Sequence, residues 1–382
     1  MSDAFSANGA ADHLPKPPRR KPSLRAKVVL FLGALLFALV VCEVALRVLG
    51  IPADELTFLP KDGSVDWDCY CSNYRGYFVP KKMSNGQTIY CVEHANEPPR
   101  ERSLEEAQKK GDYTVLTIGD SFTYGLGVKV VDNWPYRLGG LLRRTSNKSI
   151  AVSNVAKVGR HVMEILEGQY VPQTATMVPD LCVYGYCLND PLWIPAAGAD
   201  RSNPLAPVKK DAAMETADID DFINVRTANL KQLRIESPLA GLRKRLRTVD
   251  VTLRAMETRE IQQRTLQFYL DLYDPAKNAR GLDITWNAIQ RMSEQQKARG
   301  KRFLVAIFPM FIDTDGRYPL QRCHEAVMAA MTARGVDVVD LLPAYRGTPA
   351  KDLWVHPVDR HPNDLAHRLA AEAIAERCRG SN

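Results

Sequence analysis

Ser121 lies in residues 117–125, "TIGDSFTYG", directly after the apolar run "YTVL". A serine hydroxyl is a weak nucleophile and attacks an acyl carbon only when a base takes its proton. Near the end of the chain, "HPVDRHPN" places Asp359 two residues before His361. His361 can act as that base, and Asp359 can hold its imidazole in one tautomer and stabilise the imidazolium. A tetrahedral intermediate also needs donors aimed at its oxyanion. The backbone N–H groups of Ser121 and of Gly159, in "NVAKVGRH", and the amide of Asn189, in "YGYCLND", are candidates. Each residue has a plainer use. Asp120 and Ser121 can form a turn or a helix cap, Gly159 a left-handed turn, Asn189-Asp190-Pro191 a simple reversal, and Asn363 a cap for the last helix.

What joins these residues is their position relative to the elements that must carry them. Apolar runs predict strands over 113–118, 149–155, 181–186, 302–309 and 336–341. Helical periodicity predicts helices over 133–144, 161–171, 283–299, 320–334 and 363–378. Strands alternating with helices imply βαβ units and a parallel sheet covered on both faces. The expected domain is flavodoxin-like, a three-layer α/β/α fold with a five-stranded parallel sheet. In such sheets sites form beyond the carboxyl ends of the strands. Ser121, Gly159, Asn189 and the Asp359–His361 pair follow the first, second, third and fifth strands. Residues 192–281 interrupt the alternation, and their charge and helix formers predict a helical insertion.

These residues resemble the conserved blocks of the GDSL/SGNH hydrolase superfamily. "GDSFTYG" is similar to the first block, Gly159 to the second-block glycine, Asn189 to the third-block asparagine, and Asp359 with His361 to the last block. The resemblance covers about 113–191 and 302–378. It implies Ser121 as nucleophile, His361 as base, Asp359 as its orienting partner, and an oxyanion hole of Ser121, Gly159 and Asn189. The chemistry it implies requires no metal and no organic cofactor. There are departures. The third block usually reads G-x-N-D, and Cys187 stands at its glycine, where a larger side chain is expected to narrow the rim. Phe122 replaces the usual leucine. The last block is classically D-x-x-H, whereas "DRH" is D-x-H. A literal D-x-x-H, Asp364 to His367, falls inside the closing helix, and His356 is a third candidate base.

The rest of the chain bears on where such a site would work. The first 27 residues carry Lys16, Arg19, Arg20, Lys21, Arg25 and Lys27 and read as a disordered basic tail. They account for much of the net charge of +7, so the charge is not a nucleic-acid footprint. "VVLFLGALLFALVVC" follows without a charge; residues 28–50 as a helix would span about 34 Å, enough for a bilayer core. The basic flank predicts a cytoplasmic N-terminus and an extracytoplasmic, periplasmic bulk, with the segment at the inner membrane. A small-residue cleavage site is poorly matched in "VVCEVALRVLG", which favours an uncleaved single-pass anchor.

Residues 51–112 resist assignment and read as an irregular linker or subdomain ahead of a hydrolase domain over 113–382. Cys69, Cys71 and Cys91 lie there and would allow one disulfide in an oxidising compartment. The expectation is a membrane-anchored serine esterase acting on O-acyl, especially O-acetyl, esters of lipids or envelope glycans. An O-acyltransferase, and a non-catalytic glycan-binding or assembly component, are the alternatives. Oligomeric state is not legible.

Overall fold

The computed structural model describes residues 23–51, 57–58, 69–71, 79–82, 88–91, 97–192, 239–356 and 359–379. The chain divides into two units, Met1–Pro52 with Gly241–Thr252, and Ala53–Ala240 with Leu253–Asn382. In the first, α1 (Leu24–Val48) begins at Ser23, whose hydroxyl accepts the Ala26 N–H (3.2 Å). No residue of α1 is buried, and its apolar side chains, such as Phe31 and Phe37, stand open. It is long and apolar enough to cross a membrane.

In the second unit, β1 (Thr57–Phe58), β2 (Cys69–Cys71), β3 (Val79–Lys82) and β4 (Thr88–Cys91) form an antiparallel sheet in the order β1-β2-β4-β3. Among its described residues the segment 51–112, irregular by sequence, thus carries four strands, each too short to show alternation over a usual strand length. Cys69 stands opposite Cys91 in the backbone register. The side chains on which the disulfide expectation depends lie outside the described residues.

Helix α2 (Leu104–Lys109) leads into β5 (Tyr113–Gly119), α3 (Ser121–Tyr124), α4 (Trp134–Thr145) and β6 (Ile150–Asn154). Next come α5 (Val162–Ile165), a π-helical turn (Leu166–Tyr170), α6 (Val171–Thr174) and β7 (Leu181–Tyr186). Helices α7 (Ala240–Arg243), α8 (Arg247–Leu272) and α9 (Pro275–Lys297) follow, then β8 (Arg302–Ile307), α10 (Gln321–Ala333), β9 (Asp337–Asp340) and α11 (Leu342–Tyr345). A hairpin of β10 (Trp354–His356) and β11 (Asp359–Pro362) precedes α12 (Asp364–Arg379).

The main sheet is wholly parallel, in the order β6-β5-β7-β8-β9. This is the doubly wound order expected from the sequence, with its switch point between β5 and β7. Side chains alternate along each strand. Leu116, Ile118, Cys182, Tyr184, Val305 and Ile307 face α5, α9 and α10. Val115, Leu181, Val183, Leu304 and Ala306 face α4 and α12. Both faces are buried, which is why these strands read as unbroken apolar runs.

The structure departs from the sequence expectation in places. Helix α1, expected over 28–50, begins at Leu24, inside the tail expected to be disordered, because Ser23 caps it there. The helix expected at 283–299 begins at Pro275, because Pro275 occupies the first turn and the Asp274 carboxylate caps the Ala276 N–H (2.9 Å). Asp and Pro there start a helix rather than break one. Of the insertion expected over 192–281, residues 193–238 lie outside the described residues, and the remainder is helical.

Candidate active site

β5 ends at Gly119, and the chain turns at once into α3. The Asp120 carboxylate caps this short helix by accepting the Phe122 N–H (2.9 Å), and Gly125 ends it with φ +83°. Gly119 lies opposite Gly185 of β7. A Cβ on Gly185 would come within 2.0 Å of Thr123 Oγ1, so α3 packs directly on bare backbone at the switch point. The buried Gln169 amide holds Gly119 from the side: its Oε1 accepts the Gly119 N–H and its Nε2 donates to the Gly119 carbonyl, both at 2.9 Å. Asn154, at the end of β6, donates to the Thr123 carbonyl (2.9 Å). Ser121 is therefore fixed to the sheet by bonds to the residues on either side of it.

Asp359 and His361 lie on β11, not in an open loop. Two residues apart on a strand, they share one face. His361 Nε2 is 2.9 Å from Ser121 Oγ, and His361 Nδ1 is 2.5 Å from Asp359 Oδ1. The same Asp359 oxygen accepts the His361 backbone N–H (3.1 Å), which fixes the carboxylate against the ring. Burial pushes the Asp359 carboxyl up, but the His361 charge and the hydrogen bonds from its ring and backbone outweigh this and hold the group below its ordinary range. The Phe122 ring lies 5.6 Å from the His361 ring and stacks on Phe311 at 6.0 Å. The phenylalanine that departs from the usual leucine thus forms a wall beside the imidazole.

The other candidate bases sit elsewhere. His367 is fully buried in α12, and its Nδ1 accepts the Trp134 N–H (3.3 Å) at the start of α4. Burial lowers its pKa to about 3, helped by the charges of Arg137 and His361. His356 is buried on β10, where burial lowers its pKa despite the nearby Asp359 charge.

Gly159 follows β6 in the left-handed conformation (φ +72°) and is exposed. The loop leading to it runs along β5, with Lys157 N–H reaching the Gly119 carbonyl (3.3 Å). Asn189 is half-buried in the turn after β7; among the described residues its Oδ1 has no hydrogen-bond partner. The Leu192 N–H donates to its carbonyl (2.9 Å). Cys187, expected to narrow the rim, is instead buried and packs in the cluster that holds Phe122 and Phe308. Burial and the charges of Asp120 and Asp190 push its thiol pKa well up, and the thiol hydrogen-bonds Asp120.

Two groups at this site escape sequence reasoning. Asp190, plain turn chemistry by sequence, is completely buried; its Oδ2 accepts from Tyr184 OH (2.7 Å) and from Cys187 N–H (3.0 Å). Burial and the Asp120 charge raise its pKa well above the ordinary range. It ties both ends of the Cys187–Asp190 turn to β7. Asn278 Nδ2 and Gly281 of α9 back the same turn at the Pro191 carbonyl, where a Cβ on Gly281 would lie 2.3 Å from the oxygen. The adjacent "ND" pair was a signal for Asp190. Gln169 had none, because one glutamine on a helical face looks like any other. Asp120 is pushed up to about 6 by burial, against the Phe122 N–H, the His361 charge and the Cys187 thiol. Among the described residues no group of three or more His, Cys, Asp or Glu is arranged to hold a metal ion.

No family model and no curated protein matches the sequence. Solved structures do resemble the chain. TesA matches at a TM-score of 0.40 and 14% identity, covering 70% of this chain and 98% of its own. Axe2, an acetylxylan esterase from Geobacillus stearothermophilus, matches at 0.39 and 14%, covering 69% and 93%. A putative lipolytic protein of the G-D-S-L family from Desulfitobacterium hafniense DCB-2 matches at 0.37 and 12%, covering 70% and 99%. At TM-scores below 0.5 these likenesses carry no argument about function, which rests on the geometry of the site.

Proposed function

We propose that the protein is a serine esterase of the GDSL/SGNH kind, in which Ser121 attacks, His361 takes the proton and Asp359 steadies the imidazolium. The observation that carries this reading is the continuous run from Ser121 Oγ to His361 Nε2 (2.9 Å) and from His361 Nδ1 to Asp359 (2.5 Å). A carboxylate held below its ordinary range stays ionised at every pH where the imidazole is a useful base. Attack on an ester carbonyl forms the Ser121 Oγ–C bond and moves the hydroxyl proton to Nε2. Collapse returns that proton to the leaving alcohol and leaves an acyl-serine. Water, deprotonated by the same nitrogen, then releases the acid. The Ser121 and Gly159 N–H groups and the Asn189 amide are the proposed donors to the oxyanion. Their supports are the left-handed turn at Gly159 and the turn at Asn189 clamped by Asp190.

The proposed setting is a single-pass inner-membrane anchor made by α1, with the N-terminus cytoplasmic and the hydrolase domain, from about residue 113, outside. Its supports are the uncharged run of α1 and the basic residues before it. The substrates available there are O-acyl esters of lipids and of envelope or secreted glycans, O-acetyl groups foremost.

The test uses the full chain in detergent. A fluorophosphonate probe should label the wild type and not Ser121→Ala, and p-nitrophenyl acetate hydrolysis should be lost in parallel. Undiminished labelling of folded Ser121→Ala removes Ser121 as the nucleophile. A folded wild type that takes no label favours a binding protein.

A further inference from the structure

Glu43 is an unusual residue for an apolar helix, and the structure shows what meets it. Lys27 and Glu43 are sixteen residues apart, about 24 Å along a helix axis at about 1.5 Å per residue. A hydrocarbon core is about 30 Å thick. With Lys27 at one boundary, Glu43 comes to the inside edge of the other, where a lone carboxylate is costly. It is not alone. It accepts hydrogen bonds from Arg247 N–H (2.9 Å), Thr248 N–H (2.9 Å) and Thr248 Oγ1 (3.1 Å), the first residues of α8. Arg47, one helical turn on, donates from Nε to Glu43 (2.7 Å) and from Nη2 to the Arg245 carbonyl (2.6 Å). Four bonds therefore clip residues 245–248 onto α1 at the level where a membrane surface would lie.

The clipped segment has the composition of an interfacial one. Leu242 and Leu246 are four residues apart and 44% and 36% exposed. Lys244 and Arg245 are exposed beside them. Arg243 is turned away into an ion pair with Asp250 (2.7 Å). A segment that serves only to cap α8 needs neither two open leucines nor two open cations. We propose that residues 241–248 are a second membrane contact, in which Leu242 and Leu246 enter the acyl boundary and Lys244 and Arg245 bind the phosphates of anionic phospholipid. The occupant is the headgroup layer because the segment is tied to the end of a helix that is itself long and apolar enough to lie in a bilayer. This inference rests on the anchor reading of α1.

The test is full-length protein in bilayer nanodiscs of phosphatidylcholine, alone or with one third phosphatidylglycerol, with a benzophenone amino acid at position 242. Photolysis should give lipid adducts at that residue, about tenfold more with the anionic lipid, the order expected for two basic side chains at such a surface. Lys244→Glu with Arg245→Glu should abolish the preference, and Glu43→Gln should lower the adduct by loosening the clip. Absence of adduct in either lipid, from protein that resists carbonate extraction, overturns the contact and leaves the anchor standing. Equal adduct in both lipids overturns the phosphate assignment. Release by carbonate overturns anchor and contact together.

Discussion

Asp359→Asn isolates the electrostatic part of the proposed mechanism. One oxygen of Asp359 meets both the ring Nδ1 (2.5 Å) and the backbone N–H (3.1 Å) of His361. An asparagine oxygen can occupy the same place, so ring position is retained and the charge is removed. When Ser121 transfers its proton, the imidazolium and the carboxylate are about 4 Å apart, worth about 4 kcal/mol at an effective dielectric of about 20. The two side chains are 26% and 13% exposed, so solvent screening brings this to about 3 kcal/mol. At about 1.4 kcal/mol per decade, kcat should fall about 10²- to 10³-fold. KM should stay within about threefold, because the charge pair is made in the transition state and not with bound substrate. The assay is the initial rate on p-nitrophenyl acetate over a substrate series, on protein whose circular dichroism and melting match the wild type. A loss of less than about tenfold, or one carried by KM, refutes the charge-stabilisation argument. The same variant has a stability signature. Asp359 is held below its ordinary value when folded, so its contribution is complete above about pH 4 and is lost as the pH falls through the lowered value. Asp359→Asn should flatten the acid limb of the melting profile.

Asp120 has the opposite sign. Its pKa is raised from 3.8 to about 6 in the fold, so the folded state holds the extra proton and stability declines as pH rises between those values. Asp120→Asn keeps an acceptor for the Phe122 N–H and should remove that decline; a wild-type melting temperature that rises from pH 4 to 6.5 relative to the variant contradicts the burial argument. His367→Gln should keep activity within about threefold and cost about 1–3 kcal/mol in a denaturant titration, through the hydrogen bond to Trp134 N–H. A hundredfold loss of kcat in that variant would move the base to His367. Gly185→Ala should lower the melting temperature by several degrees, because its Cβ meets Thr123 Oγ1 at 2.0 Å. Adding Thr123→Ala should recover part of the loss, and strictly additive melting shifts would show the contact is not the cause.

Much of the α/β unit was legible because it rests on local signals. Tyr113–Gly119, Leu181–Tyr186 and Arg302–Ile307 are apolar throughout, as strands buried on both faces must be. Their alternation with helices implies a parallel sheet, and a parallel sheet sends the residues after its strands to one rim. Ser121, Gly159 and Asn189 were placed there by that rule alone. The apolar helix was legible for the same reason, since hydropathy over a long run needs no partner to be read.

What tertiary structure decided were the matters of direction and partnership. Asp359–His361 and Asp364–His367 are both acid–histidine pairs in sequence. β11 turns the first pair towards Ser121, whereas α12 carries His367 into the interior onto the start of α4. Cys187 looked like an obstruction because sequence shows side-chain size but not which way a strand end faces; in the fold it points inward to Asp120. Gln169 on Gly119 and Glu43 on Thr248 pair groups through the folded chain, the last across 205 positions. Residue type and local spacing sufficed for elements and for the rim they build. The orientation of each polar side chain follows from packing between distant segments, which periodicity along one chain does not contain.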